Sequence, residues 1–485
     1  MEALDRWREA QPATFWDDGS PFAPHLDPAA LGRVRAFGET VVLEVDPEVY
    51  AAEVNGPQIH AGTRIEFDPA YHRAGSAVWA SGVMEAGAWE QAAMLYLLTH
   101  AGEAGHACPV VCTAGLIRAL RREAADELRE RFLPSLLEPD YALCHRGSQF
   151  LTEIQGGSDV GANATEAVPD GDAWRLHGEK WFCSVADADQ FVVTARPRGA
   201  ARGTRGIGCF LVPRLVDGEP NRFTIERLKD KVGTRALATG ELTFRGALAY
   251  PIGALEEGFR IAAGVVLNTS RWLNALGSAG LMRRAYLVAE SFARYREAFG
   301  RPIADYPLVQ ENLAVMKAES AAALASSLEV TALVDSIDSG TASDDDVSWF
   351  RILVNANKMV TSLAATGVCR RGIEALGGNG TIEDFSPMPR LWRDAIVFES
   401  WEGTHNVLVA QVLRDVARFG AELVHERVGE LDGLQRAVEE PGGVEGRRAV
   451  AAIVRTLQAT RLLEAGDEES ARRIARRSSA GEEPA

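Results

Sequence analysis

Three stretches of the chain carry residue types that can do chemistry together. The first is Phe398–Phe419, FESWEGTHNVLVAQVLRDVARF. Here Glu402 stands just before Gly403-Thr404, and an apolar-periodic helix follows. A carboxylate beside Trp401 and other apolar residues is expected to be partly desolvated, which raises its pKa and suits a general base. A hydroxyl cap with free helix N–H groups makes a seat for an anion, although a Glu in this place also serves simply as part of a cap. The second stretch is Phe150–Val160, FLTEIQGGSDV. It sets backbone amides, Thr152, Ser158 and two glycines side by side. Glycine lets a backbone approach a ligand closely, and the hydroxyls can donate to carbonyl or phosphate oxygens. The alternative is a polar turn between domains. The third is Ala375–Asp394, ALGGNGTIEDFSPMPRLWRD. A Gly-Gly-x-Gly at a helix end is compatible with a pyrophosphate lying on the backbone, and equally with a helix C-cap.

Other chemistries find no support. There is no Walker loop, no HExxH and no GxSxG elbow. GTRGIGCF sits between strands, not at a strand-to-helix turn. His100 and His106 lie near Cys108 and Cys112, but their spacing reads as a packed helical layer, so no metal site is expected. The six cysteines are scattered without a CxxC pair, which suits a reducing cytoplasm.

The elements that would position these stretches fall into an α+β order with segregated layers. Residues 1–143 are expected to form an N-terminal extension and helical domain, with a short helix near Ala30–Glu39 and helical periodicity from Tyr71 to Leu137. Residues 144–253 read as a central antiparallel β-barrel or sheet. ATEAVP and WRLHGEKWFC flank an Asp170-Gly171-Asp172 hairpin turn; QFVVTARP, GIGCFLVP, FTIERL and GELTFRGALA follow. Residues 254–426 are expected to be a C-terminal four-helix bundle, with amphipathic runs over 258–299, 307–337, 347–376 and 405–419. Residues 427–485 make a short tail with a Pro441-Gly442-Gly443 break, one helical stretch and a disordered polar end, RRSSAGEEPA. No internal repeat is evident.

The chain has 485 residues, 51 Lys+Arg against 68 Asp+Glu, a formal net charge of -17 and 46% hydrophobic residues. Such a length suggests roughly two to four domains. The acidic balance argues against a general phosphate-backbone binder, since nucleic-acid affinity rests on Lys and Arg. No apolar run reads as long enough to span a bilayer, and the N-terminus lacks the pattern of a signal peptide.

The three stretches, their order and the helix–sheet–helix texture resemble the acyl-CoA dehydrogenase flavoproteins, and within them the AidB-like branch. The motifs that carry the resemblance are LTEIQGGSDV, HGEKWFCSV, ERLKDKVGTRALATGELTF, ALGSAGLMRRAY, REAFGRPI, EALGGNG and SWEGTHNV, spread over roughly residues 60 to 420. The resemblance implies noncovalent FAD and a homo-oligomer, dimer or tetramer, in which a neighbouring subunit completes the FAD site. It makes Glu402, in the Glu-Gly-Thr motif, the base that takes the α-proton of an acyl thioester, while hydride leaves the β carbon for flavin N5. Some relatives carry this base before the Arg that corresponds to Arg271; here that position is Ser270.

By the same resemblance, Phe150, Leu151 and Thr152 lie along the flavin pyrimidine edge. Phe182 and Ser184 supply an aromatic wall and a hydroxyl toward N5. Ser158 lies near both the thioester and the cofactor phosphate, and Arg271 near the substrate. Arg296 and Phe299 reach the FAD of the adjacent subunit. Glu374, Gly377 and Gly378 follow the adenosine end, and Trp401, Thr404 and Asn406 contact the cofactor at the helix start. The chain departs from the usual pattern at Ile154 (commonly Pro), Glu374 (commonly Gln), Pro307 (commonly Gln) and His405 (commonly small). The implied function is FAD-dependent oxidation of an acyl-CoA or carrier-protein-bound acyl group to a 2-enoyl thioester, with an electron-transfer flavoprotein or oxygen as acceptor. Two alternatives remain: an AidB-like protein that shields DNA, against which the acidic total and a charge-balanced tail speak, and a flavin monooxygenase on the same fold, against which Glu402 speaks.

Overall fold

A computed structural model describes residues 4, 6–7, 12–60, 64–440 and 443–479. Most of the first eleven residues, the Pro441-Gly442 break and the end beyond Ser479 lie outside the described residues. Two units make up the chain. One contains Met1–Leu43, Gly87–Glu103 and Arg271–Ala485; the other contains Glu44–Ala86 and Ala104–Ser270. The N-terminal helices are therefore shared between the two.

The second unit is built on seven strands: β1 Gly147–Phe150, β2 Glu166–Asp170, β3 Ala173–Ser184, β4 Gln190–Pro197, β5 Gly208–Pro213, β6 Phe223–Leu228 and β7 Thr239–Pro251. Their order is β6-β7-β3-β2-β4-β1, and β5 pairs with both β7 and β4. That extra strand closes β7, β3, β2, β4 and β5 into a ring, so the unit is a barrel without free edges around that circuit. The pairing is mainly antiparallel; β4 runs parallel to β1 and to β2. The hairpin expected at Asp170-Gly171-Asp172 joins β2 to β3, with Asp170 opposite Ala173 and Gly171 at φ 61°. Inward-facing aromatic rings fill the barrel: Phe150 lies 4.8 Å from Phe191, which meets Phe223 edge-on at 5.3 Å. Helices Ala107–Glu123 and Asp126–Leu137 belong to the same unit.

The first unit is helical. Its long members are α1 Asn268–Tyr295 (from Arg271 onward), α2 Pro307–Asp338, α3 Asp344–Leu376, α4 Met388–Ser400 and α5 His405–Phe419, followed by α6 Val444–Glu464 and α7 Glu468–Ser479. α3 packs against α2, α4 and α5, and Trp272 on α1 donates to Thr331 on α2 at 2.8 Å. Ser343 begins α3 with a full capping box to Asp346.

Several expectations change. The helical run drawn through Phe299 ends at Tyr295. Phe299 and Gly300, at φ 53° and 85°, form the tip of a small hairpin between Glu297–Ala298 and Arg301–Pro302, because two left-handed residues cannot continue a helix. Met388–Ser400 is a further helix. Arg476–Ser479 belong to α7 and are not a disordered end; Ala471 and Ile474 on that helix bury against Ala318, Ala322 and Leu462. α2 is long and apolar enough, by length and composition, to cross a membrane, contrary to the sequence expectation. Half of its most apolar window is buried, and α3, α6 and α7 pack on it, as befits a core helix of a bundle.

Candidate active site

The bundle unit presents Glu402 on the turn that links α4 to α5. α4 ends at Trp401, whose N–H returns to Val397 O at 3.0 Å and whose ring stacks on Phe398 at 4.9 Å. The chain then turns through Glu402 at φ 58° and Gly403 at φ 108° before Thr404 starts α5. A non-glycine residue in the left-handed region is uncommon and stores strain on the order of 1 kcal/mol or more. The surroundings hold it there. Arg271, buried on α1, donates Nε to Glu402 O at 2.9 Å, and its Nη1 goes to Asn355 Oδ1 at 2.7 Å and Gln411 Oε1 at 3.1 Å. Lys358, wholly buried on α3, donates Nζ to Glu399 O at 2.7 Å and Gly403 O at 3.1 Å. Burial lowers the Arg271 guanidinium to about 10. Burial, aided by the charge of Arg271, brings the Lys358 ammonium down to about 7, while Glu402 and Glu399 pull the other way. His405, at the first position of α5, is drawn down to about 4 by burial and nearby cations.

The other residues singled out in this unit sit as follows. Thr404 is at the N-cap of α5, but its side chain makes no capping hydrogen bond, so the expected hydroxyl cap is not formed. Asn406 accepts from Arg447 Nη2 of α6 at 2.8 Å. Gly377, at φ 62°, ends α3 and returns its N–H to Glu374 O. A Cβ at Gly377 or Gly378 would meet nothing within 4 Å, so the turn offers open backbone. Glu374 is exposed, 4.0 Å from Arg370 one helical turn back. Arg296 is exposed, and Phe299 is 98% exposed at its hairpin tip.

The barrel unit carries the remaining residues. Phe150 is buried at the end of β1 and Leu151 just beyond it. Leu151 O accepts from Asn163 Nδ2 at 3.0 Å, and Thr152 O accepts the Trp181 N–H at 2.9 Å, which ties this loop to β3. A Cβ on Gly157 would collide with the Thr152 side chain, so a larger residue there would have to displace it. On β3 the ring of Phe182 is half exposed, with Lys229 Nζ 4.7 Å from its centroid. Ser184 Oγ lies 3.2 Å from Thr239 Oγ1 on β7. Ser158 is exposed. Ser270, at the alternative base position, is buried with its Oγ accepting from Gln149 Nε2 at 3.0 Å.

Sequence reasoning missed the groups that hold these loops. Glu153, buried next to Thr152, meets the buried Lys180 Nζ at 2.8 Å and also accepts from Ala164 N, Thr165 N and Gln155 Nε2 at 2.6, 3.1 and 2.9 Å. Burial would raise its pKa, yet Lys180 and these donors bring it down to about 2. Lys358 was missed as well. For Lys358 a signal was available, a single lysine in the helical run ILVNANKMV, since an interior charge must find a partner; Lys180, directly after Glu179 in HGEKWF, offered none.

FAD fits the residues present on two counts. The half-exposed Phe182 ring beside the Ser184 hydroxyl offers a flat apolar face with a donor, and Gly377-Gly378 offers backbone that no Cβ shields.

Family models match in three consecutive pieces: the adaptive response protein AidB N-terminal domain over residues 26–142, the acyl-CoA dehydrogenase middle domain over 148–247 and the acyl-CoA dehydrogenase C-terminal domain over 256–417. The chain is 32% identical to the putative acyl-CoA dehydrogenase AidB of Escherichia coli over 426 residues, 81% of this chain and 73% of that one. It is 36% identical to acyl-CoA dehydrogenase family member 11 of Caenorhabditis elegans over 327 residues, 63% of this chain, and spans about half (51%) of that protein's length. The crystal structure of Caenorhabditis elegans ACDH-11 in complex with C11-CoA superposes with a TM-score of 0.85 at 25% identity, covering 98% of this chain and 93% of that one. The chain belongs to the acyl-CoA dehydrogenase family, with an AidB-type N-terminal region.

Proposed function

We propose that the protein is an FAD-dependent acyl thioester dehydrogenase that forms a 2-enoyl thioester from an acyl-CoA or a carrier-protein-bound acyl group. The observation that carries this reading is the turn at Glu402. It is the carboxylate that the matched motif supplies, and two buried cations brace its backbone, whereas Ser270 at the alternative position has its hydroxyl engaged by Gln149.

The bound flavin supplies the two-electron acceptor for the hydride leaving the β carbon. Phe150, Leu151, Thr152, Phe182 and Ser184 of the barrel unit would hold the flavin end. On the bundle unit, Trp401 and Thr404 would be cofactor contacts, and Gly377, Gly378 and Glu374 would follow the adenosine end. Arg296 and Phe299 face outward to reach the cofactor of a neighbouring copy, so the proposal includes a dimer or tetramer. Glu402 takes the α-proton onto a carboxylate oxygen. Its fixed backbone limits the carboxylate to few positions, which raises the fraction of bound substrate in a reactive geometry. The acyl-CoA class follows the relative solved with C11-CoA; an electron-transfer flavoprotein or oxygen would reoxidise the flavin. All six cysteines are buried and free, which suits a cytoplasmic protein.

A second reading, DNA shielding of the AidB kind, is favoured by the match over residues 26–142. Charge counts against it. In α7, Arg472, Arg473 and Arg477 each pair with a glutamate, so much of the positive charge of that helix is already engaged. The deciding experiment is anaerobic titration of the FAD-loaded protein with a panel of acyl-CoAs, following loss of flavin absorbance. The wild type should bleach. Glu402→Gln should keep FAD and bleach at least about a thousandfold more slowly, the scale of losing a proton-transfer group. Undiminished reduction in that variant refutes the assignment.

A further inference from the structure

Among the described residues no carboxylate lies within ion-pair distance of Lys358, although it is wholly buried. Its ammonium is spent on two backbone carbonyls, Glu399 O at 2.7 Å and Gly403 O at 3.1 Å, which bracket Glu402 on either side. Arg271 takes the carbonyl between them, that of Glu402 itself, at 2.9 Å. Three carbonyls within five residues are thus held by two buried cations, on a turn whose central residue is left-handed without being glycine. Keeping a lysine in an apolar interior is costly, and a structural turn can satisfy carbonyls with water or amides at less expense. Backbone strain that surrounding contacts over-determine is a mark of a working site.

We propose that Lys358 is a positioning residue for Glu402: by clamping the carbonyls of Glu399 and Gly403, it fixes the left-handed turn that aims the carboxylate. This rests on Glu402 being the base. In this role Lys358 acts through the backbone, by way of the two carbonyls it holds. The role predicts a split between chemistry and binding, because a loosened turn misplaces the base without removing any group that holds the acyl chain or FAD.

The test compares FAD-loaded wild type with Lys358→Met, which keeps an apolar stem and removes the N–H donors. Two readouts are taken: the rate constant of flavin reduction at saturating acyl-CoA, with the acyl-CoA dissociation constant measured alongside, and amide hydrogen exchange across Trp401–Thr404. We expect reduction to slow roughly 10- to 100-fold, the scale of a lost hydrogen bond to a charged group, with substrate affinity within about threefold and exchange of those amides faster by about tenfold or more. Wild-type exchange, wild-type reduction, or a loss that falls on substrate affinity instead overturns the proposal. If Lys358→Met does not fold, Lys358→Leu, which also lacks N–H donors, carries the same comparison. If wild type itself fails to bleach with every acyl-CoA, the dehydrogenase reading falls, and the exchange comparison decides the clamp by itself.

Discussion

Replacing Lys180 with Met isolates what a buried ion pair does for the loop that carries Thr152. In the native barrel Glu153 accepts from Lys180 Nζ, two backbone amides and Gln155. With Lys180 gone the carboxylate keeps its neutral donors but loses the charge that offsets its burial. Removing one partner of a buried pair costs about 3–5 kcal/mol. For a unit of roughly 200 residues each kcal/mol moves the melting midpoint by about 2–4 °C, so the barrel should melt roughly 6–20 °C lower. Dependence on pH identifies the cause. Native Glu153, near 2 when folded and close to 4.5 when unfolded, contributes stability that is fully present above the unfolded value and lost as pH falls toward 2. In Lys180→Met the buried carboxyl gains affinity for its proton, so the deficit against wild type should shrink as pH falls. Glu153→Gln reverses the sign: Lys180, already drawn down by burial, sheds its proton more easily, and that deficit should shrink as pH rises. The double variant, with neither charge, should recover part of the single-variant losses. Melts of the FAD-free protein from pH 4 to pH 9 decide it. A Lys180→Met midpoint within about 1 °C of wild type, or a double-variant loss equal to the sum of the singles, refutes the reasoning.

Two further perturbations test the bundle. Gly280→Ala places a methyl group against Thr99 Oγ1 and the Tyr96 carbonyl; because one neighbour is backbone, relief is expensive, and a loss of about 1–3 kcal/mol should appear as an earlier denaturant midpoint. Arg455→Met leaves the buried Glu319 without its 2.7 Å partner and should weaken the seating of α6 and α7 by about 3 kcal/mol, read as several-fold faster tryptic cleavage within residues 444–479 under native conditions.

The strands and long helices were legible because their periodicities are uninterrupted. FTIERL and GELTFRGALA became β6 and β7, and the run from Pro307 became α2. Glu402 was legible through its motif and through the helix that begins just after it. What the pattern hid was non-local. Nothing near Phe299 announces that it and Gly300 are both left-handed, so an amphipathic reading carries the helix too far. Ring closure depends on β5 meeting both β7 and β4, a pairing choice that alternation within one strand does not encode. The same holds for the sharing of the N-terminal helices between two units, since each helix is equally amphipathic whichever neighbour it meets. α7 was lost to its composition: twelve residues, EESARRIARRSS, look solvated until Ala471 and Ile474 are seen to bury one narrow face.

Each unit meets one problem with a similar device. A loop that must present a side chain at a fixed angle cannot hand its carbonyls to a regular ladder, and buried carbonyls left unpaired are costly. In the barrel unit Lys180 reaches Leu151 O at 3.5 Å as well as Glu153, so its charge is balanced and the segment around Thr152 is fixed through a carboxylate. In the bundle unit Lys358 donates to two carbonyls, and burial together with its neighbour Arg271 draws its ammonium down to about 7. Both positions call for lysine over arginine on geometric grounds. A compact ammonium with three rotatable donors can sit between acceptors that do not share a plane, whereas a guanidinium delivers its donors as a flat fork suited to carboxylates and phosphates. Arg271 illustrates the contrast: its fork spreads in one direction to Glu402 O and in another to Asn355 and Gln411. The bend at Glu402 is therefore set by cations of two shapes, one fitted between carbonyls of the turn and the other linking the turn to α3 and α5.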